Sequence, residues 1–343
     1  MDSTTGRKHY LDNLRAITIL LSFPFHIFMI YNNWGESFYI HGEALLIPSI
    51  FNRITSFWRM PLLFAIAGIS SRYALKRRSA GEYARERVSR LFLPLIFGML
   101  LIVPVQPYIA ELFFNGHGSY LDFFTKFTDL SGYNGGFAIG HLWFLLYLFV
   151  IAMVSLPFMI WYKDRGQGTP GGKTPLIFII LMGLLPCIVV RWVEIGGKSL
   201  SADMMYFLLG YIFLTNDDFL NKLEKYRFLL LGLFLLAAAV SAYFGGEFYE
   251  WVSWLGIVTI MGMARRYLDF KGKVTGYLVK SSFGVYLFHQ SWIVVAAFFV
   301  FKITGAPVVQ IPLIFLFAAG LTYLSYEICR RTPALRWMFG LKR

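Results

Sequence analysis

Arg15 and His26 stand eleven positions apart in a largely apolar stretch near the start of the chain. At ~100° per residue that spacing puts both on nearly one helix face, about 16 Å apart along the axis. Imidazole has an unperturbed pKa near working pH, which suits it to take a proton from a hydroxyl or to attack a carbonyl itself. Guanidinium is a permanent cation, and Asp12, three residues before Arg15, is placed to pair with it.

Other polar residues lie in equally apolar surroundings. An ionisable group in the hydrocarbon layer is unfavourable by about 2.5–3.5 kcal/mol even on lenient scales, so each asks for a reason. Arg59, in Trp58-Arg59-Met60-Pro61, should face a polar cavity, an anion or a structural acid; Arg53 lies just before it. Ser282, Tyr286 and His289 fall at i, i+4 and i+7 with Gln290 beside them, a polar stripe whose ordinary use is helix gluing. His141 and Trp143 open an apolar run at a level where aromatic belts form. Arg85, Arg87 and Arg90 could grip a phosphate-bearing donor such as a coenzyme A thioester, although charge that fixes topology explains them almost as well. The sequence contains no phosphate-binding glycine loop, zinc-ligand spacing or nucleophile elbow.

The elements that must position these residues are membrane helices. The composition is 57% hydrophobic and 15% charged, outside the range of soluble domains. Runs near 13–32, 45–71, 91–112, 141–162, 175–192, 201–215, 228–244, 249–264, 281–301 and 307–329 approach the ~20 apolar residues that a span needs. The expected fold is therefore an all-α integral membrane protein of about ten transmembrane helices, forming a single domain over 1–343. With the N-terminus inside, the segments from Arg7 to Arg15, Arg72 to Arg90, Lys163 to Lys173, Lys222 to Arg227, Arg265 to Lys280 and Arg330 to Arg343 hold 26 of the 32 Lys and Arg residues. That asymmetry places both termini in the cytoplasm and assigns the +13 net charge to topology rather than to nucleic acid. Cys187 and Cys329 form neither a disulfide framework nor a metal cluster, and the first apolar run, with no small-residue cleavage site, reads as a retained span. The longest outer connection, about 113–140, carries Gly116, Gly118, Gly132, Gly135, Gly136 and Gly140 and reads as a lid, an entrance lining or a plain irregular loop.

Together these segments resemble the acyltransferase-3 family of membrane acyltransferases. The resemblance rests on Tyr10-Leu11-Asp12-Asn13-Leu14-Arg15 with His26, Trp58-Arg59-Met60-Pro61-Leu62-Leu63-Phe64, Arg87-Val88-Ser89-Arg90, Gly140-His141-Leu142-Trp143-Phe144, and Ser282 to Gln290. Val103-Pro104-Val105-Gln106-Pro107-Tyr108 and the Trp-Arg-Met-Pro form are similar to the branch that includes glucan-biosynthesis succinyltransferases. The resemblance implies a multi-pass protein of a bacterial cytoplasmic (inner) membrane. It would take an acyl group from a cytoplasmic acyl-CoA (acetyl-CoA or succinyl-CoA), without a metal, and place it on a hydroxyl of a carbohydrate or glycan, with glycan-assembly proteins as candidate partners.

By carry-over His26 and Arg15 form the catalytic pair, and Arg87 and Arg90 bind the donor. Asp12, His141, Trp143, Ser282, Tyr286, His289 and Gln290 are then candidates for the substrate side. Arg59 is a candidate to stabilise the carbonyl oxyanion or to hold the carboxylate of a dicarboxylic acyl group. His26 as base and His26 as acylated nucleophile both remain open here. A secondary transporter or flippase with midplane His and Arg residues is the competing class, though paired half-helices are not visible; a non-catalytic membrane partner is a third reading.

Overall fold

A computed structural model of the chain describes residues 8–35, 38–127, 133, 135–165, 174–246 and 248–342. Arg7, Gly132, Lys173 and Arg343, used in the charge and loop readings, lie outside them. Every apolar run named above is helical along most of its length. In chain order the helices are α1 (His9–Leu20), α2 (Ser22–Met29), α3 (Leu46–Leu75), α4 (Ala80–Arg87), a π turn (Val88–Phe92), α5 (Leu93–Leu101), α6 (Val105–Asn115) and α7 (Asp122–Thr125). A 3-10 turn (Gly140–Leu142) leads into α8 (Trp143–Val154), followed by α9 (Leu156–Asp164), α10 (Leu176–Leu181) and α11 (Leu184–Val189). The short antiparallel hairpin β1 (Glu194–Ile195) and β2 (Lys198–Ser199) precedes α12 (Leu200–Ile212), α13 (Asp217–Lys225), α14 (Arg227–Tyr243), α15 (Tyr249–Tyr267), α16 (Lys273–Ile303), α17 (Pro307–Arg331) and α18 (Pro333–Met338).

Proline accounts for most of the interruptions, because it lacks the N–H that would bond the carbonyl four residues earlier. Pro24 deprives Leu20, and α1 ends there; Pro107 deprives Val103, between α5 and α6. Pro157 deprives Met153, next to the 44° bend at Ser155; Pro186 deprives Met182, between α10 and α11. Leu21, itself in the αR conformation, separates α1 from α2 where the sequence offered one apolar run.

Four helical stretches among the described residues are long and apolar enough to cross a bilayer: Leu46–Leu75, Ala80–Asn115, Lys273–Ile303 and Pro307–Arg331. Counting the bent pairs Gly140–Val154 with Leu156–Asp164 and Asp217–Lys225 with Arg227–Tyr243 as one span each raises the number to six. The remaining expected spans fall on shorter or more polar helices.

The chain divides into two compact units. The first comprises Met1–Thr18, Arg53–Glu86 and Tyr147–Val279. Here α15 packs on α13, α14 and α11, and Phe57, Phe234, Val252 and Leu255 form a buried core. Gly68 of α3 and Gly210 of α12 let backbones touch: a Cβ at Gly68 would land on the Phe207 carbonyl oxygen, and one at Gly210 on that of Ala65. Polar ties secure the start of the chain. Asn13 donates to the carbonyls of Leu268 and Phe270, while Lys8 and Arg265 both pair with Asp217, at 2.7 and 3.1 Å.

The second unit comprises Ile19–Asn52, Arg87–Leu146 and Lys280–Arg343. Its core joins Phe23 and Ile27 of α2, and Ile30 just after it, to Ile109 of α6, Val294 and Ala297 of α16, and Ile314 and Ala318 of α17. The connection after α6 is organised by a buried carboxylate. Glu111 lies 3.6 Å from Lys126, and its Oε2 accepts from the Ser119 N–H. Gly135, at φ +81°, leaves room for it: a Cβ there would sit 2.5 Å from Oε2. That glycine serves packing as well as backbone freedom.

Candidate active site

The second unit gathers three histidines from three elements. The rings of His26 (α2) and His289 (α16) have centroids 5.2 Å apart, and His289 lies a further 5.2 Å from His141 of the 3-10 turn. Tyr286, one turn before His289, meets the His141 ring at 5.6 Å. His289 and His141 are buried, at 1% and 5% exposure, whereas His26 is half-buried between Phe25 and Phe38, the latter stacked at 6.0 Å. The single most accessible imidazole of the three is thus the one that the first-helix motif singles out.

Hydrogen bonds fix the tautomers of the two buried rings. The Ser291 hydroxyl donates to the Ile102 carbonyl at 2.9 Å, so toward Gln106 it accepts, and the Gln106 amide nitrogen donates to it at 2.7 Å. This orients the Gln106 amide: its oxygen accepts from Gln290 at 3.0 Å and its nitrogen faces His141 Nδ1 at 3.4 Å. His141 Nδ1 must then carry the lone pair, and Nε2 the proton, which it donates to the Leu287 carbonyl at 2.9 Å. Both nitrogens of His141 are committed. Tyr286 ties the same turn down by donating its hydroxyl to the His141 carbonyl. His289 donates Nδ1–H to the Tyr286 carbonyl at 2.8 Å, so the lone pair of the neutral ring is on Nε2.

The polar stripe on α16 joins helices: His289 meets His26 of α2, and Gln290 bonds Gln106 of α6. Ser282, Tyr286, His289 and Gln290 are all buried along it. Trp143, half-buried, follows the same 3-10 turn as His141, and its ring meets Phe144 at 6.4 Å. Gln106 and Ser291 were not among the sequence candidates, although each bonds at least two partners in this network. Neither lies on a motif with a chemical signature, and their partners are as many as 189 positions away.

Arg87 and Arg90 flank and enter the π turn in the same unit, both half-buried. Gly340, at φ +59°, lies against the Ser89 carbonyl and Arg90 Cα, so the end of the chain packs over this turn. One-turn π insertions recur at functional sites.

Asp12, Arg15 and Arg59 belong to the first unit. Asp12 and Arg15 form the expected ion pair, at 3.2 Å. Arg59 is buried at 5% exposure, and its charge reaches Tyr249. Among the described residues no group of three or more His, Cys, Asp or Glu side chains has a geometry that could hold a metal ion.

Comparison with known proteins identifies the family. A family model described as an acyltransferase domain matches residues 8–327. Relatives named glucans biosynthesis protein C, from Salmonella typhi and Salmonella typhimurium, are each 24% identical over 98% of this chain and 95% of their own length; that of Salmonella schwarzengrund is 25% identical over the same shares. No solved structure matches. With the family model covering His26, the arginine pair, the 3-10 turn and the α16 stripe in one match, the chain belongs to the acyltransferase-3 family of membrane acyltransferases.

Proposed function

We propose that this acyltransferase moves an acetyl- or succinyl-class group from a cytoplasmic acyl-CoA donor to a hydroxyl of a carbohydrate or glycan, with His26 as general base. The acceptor oxygen attacks the thioester carbonyl while His26 takes its proton; the carbon–sulfur bond then breaks and the departing thiolate recovers that proton. Arg59 is assigned to the oxyanion or to a carboxylate on the acyl group, Arg15 with Asp12 to the inner end of the path, and Arg87 with Arg90 to the donor phosphates. The reading includes ten spans in a bacterial inner membrane with both termini cytoplasmic.

The observation that supports it is the division of labour among the histidines. His26 alone of the three is half-buried, and its ring lies 5.2 Å from that of the hydrogen-bonded His289. The names of the relatives, which concern glucan biosynthesis, favour a glucan as acceptor.

The test is transfer of labelled acetyl or succinyl groups from the CoA thioester to glucans by purified protein. His26→Ala is expected to lower the rate by about 10²–10⁴, the range of a general base. Unchanged transfer in that variant would remove the mechanism, and glucan uptake into liposomes without transfer would favour a transporter.

A further inference from the structure

We propose that His289 is a positioning residue for His26: its Nε2 accepts a hydrogen bond from the His26 imidazolium and stabilises the charge that forms when His26 takes the hydroxyl proton. The inference rests on His26 acting as base. Three observations carry it.

The first is distance. Ring nitrogens lie a little over 1 Å from the ring centre, so centroids 5.2 Å apart, when the nitrogens turn toward each other, leave about 3 Å between them, a hydrogen-bond length. The second is tautomer. Donation of Nδ1–H to the Tyr286 carbonyl leaves Nε2 with the lone pair, the state in which it can accept. The third is exclusion within the cluster. His141 is as near to His289 as His26 is, but both its nitrogens are engaged with Gln106 and the Leu287 carbonyl, so it supports and does not compete. Among the described residues, the titratable rings that meet His289 in this unit are His26 from α2, His141 from the 3-10 turn and Tyr286 from its own helix. None of these brings a permanent charge that would oppose a second cation.

Two amide substitutions separate this role from packing. His289→Asn places an amide where Nδ1 is and keeps a donor for the Tyr286 carbonyl, but has nothing at Nε2. His289→Gln can place its amide oxygen near the Nε2 position and still accept from His26. With full-length protein in detergent or liposomes, His289→Asn is expected to retain the parent melting temperature within a few degrees. It should lower kcat ten- to a hundred-fold with donor KM within three-fold, and move the acid limb of the kcat/KM profile down by about one pH unit, as expected when a hydrogen bond to a charged group is lost. His289→Gln should recover at least part of both the rate and the pH profile. Asparagine activity within three-fold of the parent, or an equal loss in both variants with the acid limb unmoved, would overturn the proposal. The two readings fail separately: an active His26→Ala defeats the base itself, whereas an inactive His26→Ala beside an active His289→Asn defeats only the role of His289.

Discussion

Replacing Gln106 with Leu should be the most informative single change in the second unit. The side chain is fully buried and makes three contacts, two of them short: 2.7 Å to Ser291, 3.0 Å from Gln290 and 3.4 Å to His141. Hydrogen bonds between membrane helices average about 0.6 and reach about 1.7 kcal/mol, so the two short ones together are worth about 1–3 kcal/mol. Loss of the acceptor also strands the Gln290 amide in a site 3% exposed, a further penalty of about 1–3 kcal/mol. Ser291 suffers less, since its hydroxyl keeps the Ile102 carbonyl. A destabilisation of about 2–6 kcal/mol is therefore expected, measured by reversible unfolding in mixed micelles. Because most of the penalty is shared with Gln290, the change should cost about 1–2 kcal/mol less when introduced into Gln290→Leu. A loss below about 0.5 kcal/mol in the parent, or additivity of the two substitutions within that margin, would refute the view that Gln106 sets the orientation of the network.

Two further outcomes test the first unit. Gly68→Ala should prevent α3 and α12 from closing, because the new methyl would occupy the position of the Phe207 carbonyl oxygen; overpacking of this kind costs about 1–3 kcal/mol or more, visible as a lower melting temperature and reduced yield in detergent. Asp217, held by Lys8 and Arg265, has its carboxyl lowered chiefly by the hydrogen bond from Lys8. The folded state therefore binds a proton more weakly than the unfolded chain, and the contribution of this cluster is present above an ordinary carboxyl pKa of about 4 and fades as pH falls below it. With Asp217 63% exposed, Asp217→Asn should cost under about 1 kcal/mol at neutral pH, less in high salt and nothing under strongly acid conditions, as read from melting temperature against pH.

Much of this molecule is legible in its sequence, for identifiable reasons. Apolar runs report burial or lipid, and the helices lie where those runs do. His26, His289 and Tyr286 stand out because polar side chains are conspicuous in apolar helices. What spacing cannot convey is company. Gln106 sits in α6 with no periodic signal, and its importance comes from Gln290 and Ser291, which the fold brings to it. The prolines are the legible sign of the helix breaks, and Pro24 forecasts the interruption at Leu21. The glycines of the 113–140 connection left a lid, an entrance lining or an irregular loop open in the sequence, and at two of them, Gly118 and Gly135, a Cβ would run into the Glu111 carboxylate. Composition alone does not distinguish a hinge from a fitted space.

The five-residue turn from Val88 to Phe92 works like a spacer in a gear train. A π turn holds one more residue than an α-helix needs to cover the same path, so removing any one of the five would let the segment relax to ordinary winding. The flanking helices would keep nearly the same phase, because the residue lost is the extra one, and the side chains inside the turn, Arg90 among them, would shift register instead. A single-codon deletion could thus re-aim this cation while leaving the helices on either side in place, a change of geometry that point substitution does not make.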